Sequence, residues 1–146
     1  MSENGQIGHL ECQMTYNNGQ RTGLYVRWYR NGQLEYRVNQ VGTKKHGIEE
    51  SWYEYSNTQT NQVDQAFLDS QTSQINQNGQ LEYRRIYVDG IKHHLQEYWY
   101  SNGQLRYRLN YVNGRKHGLQ EHWRKNGQYV FKRQYNMGNI IQHFSI

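Results

Sequence analysis

Residues 99–128, WYSNGQLRYRLNYVNGRKHGLQEHWRKNGQ, say nearly the same thing twice: Trp99 to Gly103 returns 24 residues later as Trp123 to Gly127. Within it, Asn102-Gly103, Asn113-Gly114 and Asn126-Gly127 are dipeptides that accept positive φ at little cost. Flanked by alternating apolar residues, they form the strongest short-range hairpin signal a sequence can carry. Between the turns the period is two, so Leu105, Tyr107, Leu109 and Tyr111 should point one way and Arg106, Arg108 and Asn110 the other. The stretch reads as strand, turn, strand, turn.

The same period extends outward. Gly79, Gly103 and Gly127 keep the 24-residue step, as do Gly8 and Gly32; Gly90, Gly114 and Gly138 form a second series, with Gly19 and Gly42 one residue short of it. Trp28 and Trp52 are 24 apart, as are Trp99 and Trp123, while 47 residues separate Trp52 from Trp99, with Ile75 in the expected Trp place. The strand slots recur as Leu34, Tyr36 and Val38, as Leu81 and Tyr83, as Tyr129 and Phe131, and as Leu10, Cys12 and Met14. About six repeats fill the chain and no segment has helical spacing.

This pattern predicts an all-β fold: an elongated, twisted, single-layer antiparallel meander of successive β-hairpins, with residues 1–146 as one domain. About eleven strands at about 4.8 Å each would make a ribbon roughly 50 Å long. Its two ends would be exposed edges open to pairing with another chain. One register question stays open. A two-residue loop at Asn102-Gly103 pairs Tyr100 with Leu105 and sets Glu97 opposite Arg108. A three-residue loop with a glycine bulge pairs Trp99 with Leu105 instead, gathers Leu95, Trp99, Leu105 and Tyr107, and is favoured although it leaves Glu97 among apolar neighbours.

Residues 53–77, YEYSNTQTNQVDQAFLDSQTSQINQ, break the pattern. The turn glycines are missing, Gln is abundant, and only Val63, Phe67, Leu68 and Ile75 offer apolar bulk. The segment is a degenerate repeat or a looped insertion.

Composition supports a thin sheet. Hydrophobic residues make up 34% and mean hydropathy is −1.18, which alone leans toward disorder. Fourteen Tyr and four Trp at regular spacing restore the apolar area that the aliphatics lack. The single cysteine, Cys12, allows no internal disulfide. The opening MSENGQIGHLEC lacks the basic-then-apolar order of a secretory signal, and no long apolar run suggests a spanning helix, so a soluble, cytoplasmic protein is expected. The net charge of +5 permits an acidic partner without demanding one.

His46, His93 and His117 share one slot, with His94 and His122 nearby, but equivalent slots on successive repeats lie about 10 Å apart, too far to converge on a metal. Cys12 shares the slot of Tyr107 and reads as a packed thiol. Glu50, Glu97 and Glu121 recur once per repeat and read as a cross-strand ladder. No catalytic residues, metal or cofactor are assigned. The basic residues are the best binding hint: Arg37, Arg84, Arg108 and Lys132 share one slot, with Arg106, Tyr98 and His122 alongside. Such a stripe would suit phospholipid headgroups or nucleic acid, unless it is a solvated face relieved by cross-strand Glu.

The repeat resembles the variant form of the MORN repeat, found in bacterial proteins described as antitoxin-like and in large DNA viruses of protists. The resemblance is carried by YVNGRKHGLQEHWRKNGQ at 111–128 and YVDGIKHHLQEYWYSNGQL at 87–105, with weaker copies at 16–34 and 41–57. It implies successive hairpins in an elongated sheet and roles in scaffolding, partner binding or membrane attachment, with no catalytic residues. His94 departs from the pattern, standing where Gly47 and Gly118 stand. The expected function is a non-enzymatic scaffold or protein-interaction element, virion-associated if the source is viral. Its partners would be another protein or a second copy bound at an edge strand. The alternatives are an anion-binding module using the Arg and aromatic stripe, and an antitoxin-like partner protein. No small-molecule substrate is expected.

Overall fold

The computed structural model describes residues 12–54 and 79–144. Leu10, Gly8, Val63, Phe67, Leu68 and Ile75 lie outside the described residues, as does most of the stretch 53–77. The strands are β1 (Cys12–Gln13), β2 (Tyr16–Asn17), β3 (Gln20–Trp28), β4 (Leu34–Val41), β5 (Lys44–Trp52) and β6 (Leu81–Val88), followed by β7 (Ile91–Lys92), β8 (His94–Trp99), β9 (Leu105–Val112), β10 (Arg115–Trp123), β11 (Tyr129–Asn136) and β12 (Asn139–His143). They form one open antiparallel sheet in the order β1-β3-β4-β5-β6-β8-β9-β10-β11-β12, with β2 attached to β3 and β7 to β6. The chain is all-β, and the sheet is built from successive hairpins.

Two turn types alternate. Asn113 and Gly114 have φ of 48° and 76°, the two positive values of the tight turn whose twist matches the flanking strands. The other turn is the three-residue loop with a glycine bulge. The Tyr100 carbonyl accepts from Gly103 N–H and Tyr100 N–H donates to the Gln104 carbonyl, both at 2.9 Å. The Asn102 side chain caps it by accepting from Gln104 N–H at 3.2 Å. Tyr29 to Gln33 and Arg124 to Gln128 close in the same way.

Trp99 thus pairs with Leu105, as the favoured register requires, yet Glu97 also stands opposite Arg108. Both hold because a bulge at Arg106 separates the Tyr98–Tyr107 pair from the Trp99–Leu105 pair. The expectation that Leu105 and Tyr107 share a face is therefore corrected: the extra residue reverses the parity of the strand, as bulges do. The same shift recurs at Trp28, Trp52 and Trp123.

The result is two chemically distinct faces. On the tryptophan face, Val26, Leu34 and Trp52 form a buried cluster with Trp28 and Leu81 packed on it, and Trp99 and Leu105 continue the row. On the tyrosine face, Tyr36, Tyr83, Tyr98, Tyr107, His122 and Phe131 stand in register across the strands, with Ser51 between the first two. Repeats are also tied through their turns: Gly90, Gly114 and Gly138 N–H groups donate to the carbonyls of Lys45, Lys92 and Lys116 at 2.7 to 2.9 Å.

The sheet is continuous across the irregular stretch. Trp52 pairs with Leu81 and Tyr53 N–H donates to the Gln80 carbonyl at 2.9 Å, so 28 residues connect a pair that five residues connect in the other hairpins. Cys12 is exposed, which corrects its reading as a packed thiol. It lies on the two-residue strand β1, which among the described residues pairs only with β3. Among the described residues no helix is long and apolar enough to cross a membrane.

Candidate functional site

The basic slot lies on the tryptophan face, and it alternates with carboxylates. Arg37, Glu50, Arg84, Glu97, Arg108, Glu121 and Lys132 stand opposite one another on seven successive strands of the sheet. Glu50, only 2% exposed, accepts from Arg37 Nε at 2.5 Å and from Arg84 Nε at 2.7 Å. Arg108 Nε reaches Glu97 at 3.3 Å and Lys132 Nζ reaches Glu121 at 3.7 Å. Four cations thus face three anions along the ladder, and Arg37 also lies 5.5 Å above the Trp52 ring. A buried carboxylate held by two guanidinium groups locks register across three strands, because a one-residue slip would turn every charge to the other face.

The remaining predicted residues are elsewhere. Tyr98 follows Glu97 and His122 follows Glu121 with no bulge between them, so both project from the opposite, tyrosine face. Arg106, in the bulge, has its guanidinium 5.2 Å from the Tyr107 ring centre and 5.4 Å from that of Tyr100. His122 stacks on Tyr107 at 4.2 Å and 19° and meets Phe131 edge-on at 5.4 Å. Burial, then the Arg106 and Arg124 charges, lowers the His122 imidazole below its usual range, so it is neutral at pH 7. The seven residues are therefore two groups on two faces.

Sequence reasoning passed over the charge cluster that anchors the tyrosine face. Glu49 is 1% exposed and pairs with Lys45 and, at 3.5 Å, with Arg85, while Tyr36 donates to it at 2.6 Å. Burial would raise the Glu49 carboxyl, but the hydrogen bonds from Lys45 and Tyr36 and the Lys45 and Arg85 charges outweigh it and hold it below the usual carboxylate range. The same burial and the nearby Glu49 charge push the Tyr87 hydroxyl up to about 12. Arg85 lies flat on the face, 3.7 Å from the Tyr83 ring centre and 5.1 Å from that of Tyr98. The signal for this cluster was the slot preceding Glu50, where Glu49, Gln96 and Gln120 stand at repeat spacing.

The histidine slot is dispersed: His46 Nδ1 lies 3.3 Å from an Asp89 oxygen, and His93 and His94 pack ring to ring. Among the described residues, no three His, Cys, Asp or Glu side chains converge on one point. What the geometry offers is area: two ordered faces, one whose cations each meet a carboxylate and one rich in tyrosine and cations.

Comparison with known proteins agrees with the repeat. The MORN repeat variant family matches at residues 21–40 and 92–113, that is, at the hairpin of β3 and β4 and at β7 to β9. Repeats of this kind generally mediate membrane or protein interactions or scaffolding. No curated protein matches the chain.

Proposed function

Taking the chain as a protein of MORN repeat variants, we propose that it is a non-enzymatic scaffold whose open sheet binds other proteins. The observation that carries this is the ladder from Arg37 to Lys132, in which three carboxylates and four cations alternate across seven strands, with Glu50 pairing Arg37 and Arg84, Glu97 pairing Arg108 and Glu121 pairing Lys132. Such a ladder spends its charge on holding the strands in register, and so presents an ordered surface. Chemically equivalent side chains fall in rows about 10 Å apart rather than converging on a pocket. Tyrosine-rich, arginine-bearing surfaces of this type suit protein partners, because both residues are enriched at interface hot spots and the Tyr ring gives large contact area at small entropic cost.

Assembly through an edge is part of the same reading. Among the described residues β12 is the last strand of the sheet, with Ile140 43% and Ile141 61% exposed, and an end strand offers unpaired backbone groups to an incoming strand.

Crosslinking of the full chain in its native source, followed by mass spectrometry, tests the proposal. A stoichiometric protein neighbour, or crosslinks between copies, is expected. Recovery of lipid or nucleic acid alone would refute it.

A further inference from the structure

The Lys45, Glu49 and Arg85 cluster has a counterpart further along the tyrosine face in which the carboxylate is gone. Glu49 stands opposite Arg85 as Gln120 stands opposite Arg133, and Lys116 precedes Gln120 as Lys45 precedes Glu49. Both cations are kept and the anion has become an amide of nearly the same shape. Gln120, 1% exposed, donates to the Asn110 carbonyl at 2.7 Å. Its Oε1 is buried without a partner, and so is the facing Arg133 Nε, as Arg85 Nε is in the first cluster; the difference is that Arg85 still pairs with Glu49 through its Nη1. The aromatic supports are retained: Lys116 Nζ is 5.3 Å from the Tyr135 ring centre, as Lys45 Nζ is from that of Tyr87, and Arg133 lies 4.5 Å from that of Phe131. A ring face orients a cation but does not neutralise it.

The surroundings change in the same sense. At the bulge, Glu35 and Glu82 in the N-terminal half give way to Arg106, and Lys92 stands before Gln96 where Lys45 stands before Glu49. The only carboxylates in residues 91–144 are Glu97 and Glu121, and both belong to the ladder on the opposite face. Among the described residues Lys92, Arg106, Lys116 and Arg133 have no carboxylate within ion-pair distance.

We propose that this half of the tyrosine face docks a carboxylate-rich protein segment, whose acidic side chains pair from the solvent side with Lys116 and Arg133, partly exposed cations with no internal carboxylate between them, and also reach Lys92 and Arg106. A carboxylate is favoured because the equivalent cations Lys45 and Arg85, on equivalent rings, hold the carboxylate of Glu49. The inference rests on the protein-binding reading above and names the chemistry of the partner.

The test titrates the full chain with a fluorescent polyglutamate peptide at low and at moderate salt. Binding that weakens with salt is expected, with a roughly tenfold or greater loss in the double variant Lys116→Gln, Arg133→Gln. Gln120→Glu, which rebuilds the internal carboxylate, should also block the peptide while leaving the protein folded by circular dichroism, and Lys125→Gln in a turn should change nothing. No peptide binding, or affinity indifferent to both the double variant and Gln120→Glu, overturns the proposal. So does tighter binding of phosphatidylserine vesicles or oligothymidylate than of the peptide. A native protein partner that stays bound to the double variant overturns this docking site and leaves the protein-binding reading standing.

Discussion

The Tyr53 hydroxyl donates to the Trp99 carbonyl at 2.9 Å, and this is the bond that Tyr29 makes to Trp52 at 2.7 Å and Tyr100 makes to Trp123 at 3.1 Å. Each ties one turn to the hairpin that follows, so the repeat step across residues 55–78 is structurally the same as at either side of it. Deleting residues 55–77 would join Glu54 to Asn78 and leave Tyr-Glu-Asn-Gly-Gln, a match to Tyr29-Arg30-Asn31-Gly32-Gln33. The deleted chain should fold and gain about 1.5 kcal/mol from the shorter closure, whereas Tyr53→Phe should cost about 1 kcal/mol. Urea unfolding of both variants checks this, and loss of folded protein on deletion would show that the segment contributes contacts of its own.

His94 occupies a glycine position in the backbone sense as well as in sequence. Its φ is +60°, beside +82° at Gly47 and +80° at Gly118. A side chain with Cβ is strained there by about 1 kcal/mol. His94→Gly should raise stability by about that amount, and Gly118→Ala should lower it similarly, since the added Cβ would meet Asn110 Cβ at an ordinary 3.6 Å. Thermal unfolding of the two single variants should therefore move in opposite directions.

The hairpin order was legible because Asn-Gly turns and the period of two are local signals, and backbone geometry at Asn113-Gly114 and Gly103 follows from them directly. Facing was harder to read. The bulge at Arg106 has no residue signature, since Arg, Glu and Val all stand at that point in the repeats, yet it decides that Leu105 and Tyr107 part company. The long connection after Trp52 was hidden for an arithmetic reason: its excess over the usual five-residue loop is close to one period, so it reads as a faded copy of the repeat. The basic slot was found, but its neutralisation depended on the strand pairing of Glu50, Glu97 and Glu121. The unmatched cations at Lys116 and Arg133 become visible only by comparison with Lys45 and Arg85.

Glu49 makes stability depend on acid. Its folded carboxyl lies below the unfolded value of 4.5, so the stabilisation is fully present above that pH and is lost as pH falls through the folded value. Wild-type protein should therefore lose stability on acidification below pH 4.5 more steeply than Glu49→Gln, which should already be weaker at pH 7 by about 3 kcal/mol because Lys45 and Arg85 lose their buried partner. Tyr87 acts at the other end. Its hydroxyl is raised from 10.0 to about 12, so its contribution is complete below 10 and disappears between those values. Chemical denaturation across both ranges, with Tyr87→Phe as the comparison, separates the two effects.

The end strand β12 should govern self-association. Its five residues are all exposed, among the described residues it pairs only with β11, and Ile141 at 61% exposure gives an incoming strand an apolar contact next to the backbone groups of that edge. A lysine on an edge strand costs the monomer little and opposes pairing by charge and hydration. Ile141→Lys should therefore leave the thermal midpoint within a few degrees, a change of about 0.5 kcal/mol or less, while shifting any dimer or higher species to monomer in light scattering coupled to size exclusion. Replacing exposed Tyr16 on β2 in the same way should leave the oligomeric state unchanged, because β2 pairs with β3 well away from the β12 edge. If Ile141→Lys leaves the species distribution as it was, the β12 edge is not the contact and association, where present, runs through the β1 end of the sheet or through one of the two faces.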